Sequence, residues 1–495
     1  MKYMRLYKRV KELLLPTQLI DKNLNIKLGF IMWSLLIFSY ALFVVNWGFV
    51  TGLNGQGGND PGILSSFFKD GDKPSSFEVQ ATNWAITLGR GFGSILIGWM
   101  IVKFTHKNSV VIALSLCLFA IPAPYMPSYA LFVIFRTIFA IGGSTLMILF
   151  QPLVTAYFKQ KTKGMLSSFS TWGYPIGAII VLVPFAFNIE SAKVVRSHWQ
   201  LILLISSSLY LIPLILYLIL GQRFDLYRSY VISLKEKHLK ELVAKGLNYQ
   251  RPTIKMFLSK KSTYKWAIFY GSWLIAVTLP FVTIRDQLPN LVLQIYNHKD
   301  VSIKEIRALA LPIIALWLIL FNGAIILAPY TVGLWNRLNA RRKPFIITIL
   351  LIGILLWIIS ILCFIFLVGP NLDKNAINKN IIPWSVSIPF LVLGFFAGLL
   401  LWGIQGVFLN NPHEIPENTS EKIAMQFGFI WGFGYFFFTM LLIIISLLED
   451  FTNHNLAPWL WFSLTIIFTI IAPITWYFIS ETKPDAPLIP KRKNQ

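Results

Sequence analysis

Two arginines, Arg90 in TLGRGFGSILIGW and Arg136 in RTIFAIGG, stand inside stretches that otherwise consist of apolar and small residues. A guanidinium stays charged in a protein and offers five N–H donors in a planar fork that matches phosphate, carboxylate or nitrate. At bilayer depth such a charge costs about 2.5 to 17 kcal/mol, so it requires a structural partner or a functional one. Arg90 has Asn83, Thr87 and Ser94 at helical spacing, a polar stripe suited to a helix beside a wet cavity. A charge lock would need an internal carboxylate, yet Asp60, Asp70, Asp72, Glu78, Glu190, Asp286, Glu414, Glu421 and Glu449 all fall in loops or near span ends. The pattern predicts that Arg90 meets its anion as substrate, with a helix-locking contact to a carboxylate or backbone carbonyls as the alternative. Arg136, with Ala140, Gly143, Met147 and Gln151 along its face, either borders the same cavity or has a structural or gating role.

Around these cations, Asn46, Trp47, Trp172, Asn322, Gln405, Gln426 and Trp431 are further candidate solute contacts, each with helix packing or an interhelical hydrogen bond as the alternative. No nucleophile–base pair and no metal-ligand set is legible, so the sequence predicts neither an enzyme nor a cofactor. The six histidines, His106, His198, His238, His298, His413 and His454, fall in loops or at span ends, and no mid-span carboxylate is available for proton coupling. Cys117 and Cys363 lie singly in apolar runs and predict no disulfide. The glycines of GRGFG lie within a span rather than between a strand and a helix, which predicts close helix packing and not a nucleotide loop.

The elements that carry these residues follow from composition. Of 495 residues 56% are hydrophobic and 13% charged, with mean hydropathy +0.64, an integral membrane composition. About twelve runs approach the roughly 20 residues needed to cross a bilayer: 28–52, 77–103, 110–126, 130–157, 165–187, 199–220, 264–284, 308–334, 344–368, 381–409, 422–448 and 456–480. Of the 44 Lys and Arg, about 32 fall on the side shared by both termini and about 10 on the other. That bias explains the net charge of +23 and predicts both termini in the cytoplasm, a multi-pass plasma-membrane protein and no nucleic-acid partner. The expected organisation is a cytoplasmic arm (1–27), a six-helix bundle (28–220), a basic linker (221–263), a second six-helix bundle (264–480) and a tail (481–495). The N-terminal apolar part is too short for a signal-peptide core, and the NTS at Asn418 falls on the cytoplasmic side.

The halves share a faint repeat: KGMLSSFSTWGYPIG from Lys163 aligns with KIAMQFGFIWGFGYF from Lys422, and Gln151 pairs with Gln405. With GWMIVKFTHKN after the second span, GLWNRLNARRK after the eighth and RTIFAIGG in the fourth, the chain resembles the major facilitator superfamily along its whole length. The family's inner-gate loops carry an Asp-Arg pair; here Val102 and Asn336 take the Asp positions, while Lys103, His106, Lys107, Arg337, Arg341 and Arg342 keep the basic character. The resemblance implies an all-α fold of two pseudo-symmetric six-helix bundles and a carrier with one central site, exposed alternately to each side. It places Lys103, Lys107, Asn336, Arg337 and Arg341 at the inner gate. The expected cargo is a small anionic metabolite, with a co-ion or counter-substrate possible and a monomer in the bilayer. The alternatives are a proton-coupled carrier of a neutral or cationic solute and a non-transporting receptor on the same scaffold. Among relatives, sugar-phosphate exchangers pair arginines in spans one and seven and nitrate porters in spans two and eight; Arg90 matches the first member of the second pattern, with no cation near Gly323.

Overall fold

The computed structural model describes residues 22–54, 61–68, 74–158, 162, 166, 169–187, 189–221, 255, 258–296, 302–372, 382–414, 420–452 and 456–489. The arm up to residue 21, most of the basic linker and the Asn418 sequon lie outside them. Hydrocarbon leaves no water for backbone amides, so each apolar run closes its hydrogen bonds internally as a helix. The longer helices are α1 (Lys22–Leu53), α2 (Ala81–Lys103), α3 (His106–Cys117), α4 (Tyr129–Tyr157), α5 (Gly173–Phe187), α6 (Trp199–Ser208), α7 (Lys261–Tyr296), α8 (Ile303–Gly323), α9 (Lys343–Cys363), α10 (Trp384–Gly403), α11 (Ser420–Phe451) and α12 (Ala457–Tyr477). Turns of 3₁₀ or π helix prolong α3, α8 and α9. Among the described residues ten helices are long and apolar enough to cross a membrane, or eleven if the bent pair Ser170–Ala186 and Ser191–Ser197 is one span.

Helix α2, at 23 residues, also has the length to cross a bilayer. Its polar residues Thr82, Asn83, Thr87, Arg90 and Ser94 are all buried. It also begins later than the sequence suggests, because a separate helical turn, Ser76–Val79, capped by Ser75 and Glu78, precedes it. Helix α7 instead runs twelve residues past the expected end at Ile284, so Arg285 and Asp286 stand inside a helix.

Packing repeats from the first six helices to the last six. The pairs α1–α5, α2–α4, α3–α4 and α1–α6 recur as α7–α11, α8–α10, α9–α10 and α7–α12. Across the two sets, α2 packs on α11, α5 on α8, and α4 on α11. Aliphatic side chains at the periphery, such as Leu201 and Ile205 on α6, Ile212 beyond it, and Leu351 and Leu355 on α9, stay exposed, as lipid-facing positions require.

The glycines around Arg90 set the spacing of α2. A Cβ on Gly93 would lie 2.3 Å from the Ile141 carbonyl oxygen and 2.4 Å from Ser144 Oγ of α4, whereas a Cβ on Gly91 would meet the ring of Phe436 on α11 at 2.7 Å. Gly89 presses on α4 in the same way, 2.6 Å from the Thr137 carbonyl.

At the end of the bundle where α8 gives way to α9, a polar network joins three segments. Arg342 is 1% exposed and binds Glu414 at 2.6 Å, together with the Trp335 and Asn336 carbonyls. Lys483 and Thr482 reach Glu414 from beyond α12, at 3.3 and 3.0 Å. Glu481 accepts from the backbone amides of Arg342, Lys343 and Lys483. Although burial acts to raise its pKa, donation from those amides and that of Thr482 outweighs it and holds the Glu481 carboxyl below its ordinary value.

The tight helix contacts and the amide cradle each have a measurable consequence. Gly93→Ala must push two backbones apart and should cost about 1–3 kcal/mol, seen as a lower thermal midpoint in detergent; Gly91→Ala should cost less, because a ring can turn aside. A carboxyl more acidic in the folded than in the unfolded chain adds stability that is full above the unfolded value, near 4.3 for Glu, and is lost as the pH falls through the folded value. The difference in thermal midpoint between the wild type and Glu481→Gln should therefore be present at pH 7 and shrink once the pH drops below about 4; a pH-independent difference would contradict the amide cradle.

Candidate functional site

Arg90 lies on the face of α2 that meets both α1 and α11. Its Nη2 donates to the Tyr40 hydroxyl at 2.9 Å, and its Nε, fully buried, has no hydrogen-bond partner. Aromatic rings occupy the rest of its surroundings: Tyr435 of α11 lies 4.1 Å from the guanidinium carbon, Trp47 5.0 Å and Phe43 5.2 Å. The phenols of Tyr40, Tyr435, Tyr270 and Tyr174 surround it, and among the described residues no carboxylate pairs with it. A cation over a ring face is stabilised by the ring quadrupole, and desolvation strengthens the effect. The charge is thus sheltered by neutral groups and retains a free donor.

Arg90 lines a narrow cavity with room for about one water molecule. The first six helices contribute Tyr40, Arg90, Met147 and Tyr174, with Thr171 just before α5. The last six contribute Tyr270, Trp273, Leu274, Thr278, Trp402 and Tyr435, with Gln405 just beyond α10. Four buried polar atoms of this lining have no partner: Arg90 Nε, Tyr174 Oη, Thr278 Oγ1 and Trp402 Nε1. Two of the four are donors only, so the cavity is matched to a ligand that presents acceptors.

The other expected contacts divide. Gln405 lines the cavity, and Met147, on the Arg136 face, does too. Trp47 belongs to the cage around Arg90 and packs on Phe281 of α7, 5.8 Å between ring centres. Thr87 does not line the cavity; it accepts from Thr439 of α11 at 2.7 Å and ties the two helix sets together. Arg136 is not among the lining residues either. Its Nη2 donates to the Asn46 carbonyl at 2.8 Å, its guanidinium sits 4.5 Å from the Phe139 ring, and the Asn46 side chain accepts from Ser207. These bonds fasten α1, α4 and α6 to one another, the structural alternative for Arg136 and Asn46. Asn322 bonds back to the Leu318 carbonyl of its own helix, Trp431 stacks on Phe427, and Trp172 packs edge-on to Phe169. Gln426 is half-buried and outside the lining. The side chains of Gln151, Lys103 and Arg337 lie outside the description.

At the gate loops, Asn336 donates to the Gly406 carbonyl at 2.8 Å and Arg341 to the Ala486 carbonyl at 3.0 Å, while the stem of Lys107 lies against Gly221. The ion pair at this end joins Arg342 to Glu414 within the second helix set, a pairing that the loop spacing alone does not reveal. His106, at a span end as the sequence suggests, begins α3 and is fully buried between the Leu149 carbonyl, 2.7 Å, and the Tyr217 hydroxyl, 2.9 Å. At the opposite end of the bundle, Asp450 in the last turn of α11 accepts from the amides of Ser76, 2.6 Å, and Phe77, 3.1 Å, ahead of α2. Glu449 is buried beside it and accepts from Gln287.

The comparisons with known proteins agree with this architecture. Residues 132–450 match the family model described as Mycoplasma MFS transporter. An uncharacterized protein of Mesomycoplasma hyopneumoniae (strain 232) is 38% identical, over 94% of this chain and 93% of its own length. A major facilitator superfamily transporter of Mycoplasma pneumoniae is 24% identical over 82% of this chain and 84% of its own. Among solved structures, the proton:xylose symporter XylE bound to 6-bromo-6-deoxy-D-glucose superimposes with a TM-score of 0.56 at 16% identity, covering 93% of this chain and 98% of that one; at that identity the likeness speaks for the fold. Helix pairing, span composition and sequence kinship converge, and the chain belongs to the Mycoplasma MFS transporter family of multi-pass, non-enzymatic membrane transporters.

Proposed function

We propose that the protein is a secondary transporter that moves a small anionic solute by alternating access, with Arg90 as the anchor of the solute. The observation that carries this reading is a mid-helix guanidinium, 2% exposed, held by a neutral hydroxyl and ring faces, with its Nε free at a cavity built from both helix sets. Polar groups at membrane depth are retained where they face a pathway or a partner. Twelve membrane helices result when α2 and the bent α5 segment are counted as spans. The charge bias then puts both termini in the cytoplasm of a bacterial plasma membrane. Residues 28–220 and 264–480 are the two moving bundles, joined by the basic linker. The Asp450 contact, which bridges the two helix sets at the end opposite the Arg342–Glu414 network, lies where an outer gate belongs.

A second reading, a neutral sugar, draws on the proton:xylose symporter among the fold neighbours. The lining favours the anion: its hydrogen-bonding amide is Gln405 and it contains no carboxylate, whereas Arg90 is part of it. Uptake into proteoliposomes of inorganic phosphate, sugar phosphates, small carboxylates and xylose separates the two. Arg90→Gln should lower affinity for the transported anion by roughly 30-fold or more, the cost of losing a buried charged partner. Arg90→Lys should recover some of the loss, because it keeps the charge without the planar fork. Anion uptake undiminished in Arg90→Gln, or saturable uptake of xylose alone, would overturn the assignment.

A further inference from the structure

We infer that the transported solute joins its anionic group to a flat unsaturated ring, the anion taking Arg90 and the ring lying on the face of Trp402; this rests on the anionic reading above. The two binding groups come from opposite helix sets, Arg90 from α2 and Trp402 from α10. Each is covered by an aromatic side chain from the other set. The Tyr435 ring of α11 lies 4.1 Å from the Arg90 guanidinium, and the Tyr174 ring of α5 lies 4.6 Å from that of Trp402 with 32° between their planes. The carrier's own rings thus stand where a solute would stand.

Trp402 is also held for this purpose. Trp273 donates its indole N–H to the Leu401 carbonyl at 2.7 Å and meets Trp402 edge to face, 5.5 Å and 88°, leaving the Trp402 face to Tyr174. The Trp402 Nε1 and the Tyr174 hydroxyl are both buried without partners. Alternating access requires the sets to separate, and their separation breaks the Arg90–Tyr435 and Tyr174–Trp402 contacts together. A solute with an anion at one end and a flat ring at the other replaces both contacts. An anion on a puckered, hydroxyl-rich frame replaces only the first, and a neutral ring only the second. A ligand that lacks differential contact with the two states shifts nothing between them.

The test uses the full chain in detergent and matched pairs of ligands: phenyl phosphate against cyclohexyl phosphate, uridine 5′-monophosphate against ribose 5-phosphate, with xylose as the neutral control. Binding is followed by thermal shift and by tryptophan fluorescence. In at least one pair the flat member should bind about three- to tenfold more tightly, the range of one aromatic stacking contact. That preference should survive in Trp402→Phe, vanish in Trp402→Leu, and be accompanied by quenching in the wild type. Equal binding within both pairs, with binding lost in Arg90→Gln, overturns the ring while leaving the anionic reading in place. Binding of xylose alone, or of no anion at all, overturns both. If Trp402→Leu is not monodisperse, the comparison of pairs on the wild-type protein decides alone.

Discussion

The structure is organised around a permanent cation that has been given no anion. A guanidinium at mid-helix in a membrane protein must be neutralised, hydrated or surrounded by polarisable groups, and Arg90 receives the third treatment, with one tyrosine hydroxyl added. That choice shapes its neighbourhood. α1 must supply Tyr40, Phe43 and Trp47 on one face, and α11 must bring Tyr435 close, which the glycines flanking Arg90 permit by letting α4 and α11 approach the α2 backbone. A carboxylate in place of these rings would bind the cation more tightly and would compete with any anion that arrived. Ring faces shelter the charge without satisfying its donors.

The contacts between the two helix sets are of the same exchangeable kind near the cavity. Thr87 with Thr439, Arg90 with Tyr435, and Tyr174 with Trp402 are a hydroxyl pair, a cation over a ring and two tilted rings. Each contributes on the order of 0.5–2 kcal/mol, so none fixes the sets against each other. Stronger, charged contacts lie at the ends. Arg342 and Glu414 bind the α8–α9 connection to the end of α10, and Glu481 and Lys483 fasten the segment after α12 to them. Asp450 reaches across to the chain ahead of α2. Of these, only the Asp450 contact crosses between the two helix sets; the Arg342 network lies within the second set and moves with it.

Much of this was legible in the sequence. Apolar runs located the helices, because in hydrocarbon the backbone has no alternative, and the absence of mid-span acids isolated Arg90. The glycines of GRGFG were also legible as packing residues. The cavity wall was not. Tyr40, Tyr174, Tyr270 and Tyr435 are indistinguishable by composition from the many aromatic residues that face lipid, and only the azimuth of each helix turns them inward. Tyr435 lies four residues beyond Trp431, and Tyr40 seven before Trp47, so helical spacing from the singled-out tryptophans was the available signal. The Arg342–Glu414 pair escaped for another reason: its partners are 72 residues apart and meet only through the fold.

Arg90 and Arg136 show why residue type and depth alone do not assign a role. Both are arginines in apolar helices, both are almost fully buried, and both have a ring within 4.5 Å of the guanidinium carbon. Their partners differ in where they belong. The acceptor of Arg136 is the Asn46 backbone carbonyl on α1, and the ring beneath it is Phe139 of its own helix, so every contact moves with the first helix set. The nearest ring to Arg90 belongs to α11, in the other set, and its environment must change whenever the sets move apart. A charge whose partners travel with it stabilises one bundle; a charge whose partner departs has a vacancy to fill in each transport cycle. On the anionic reading proposed above, that vacancy couples movement of the two helix sets to an incoming anion.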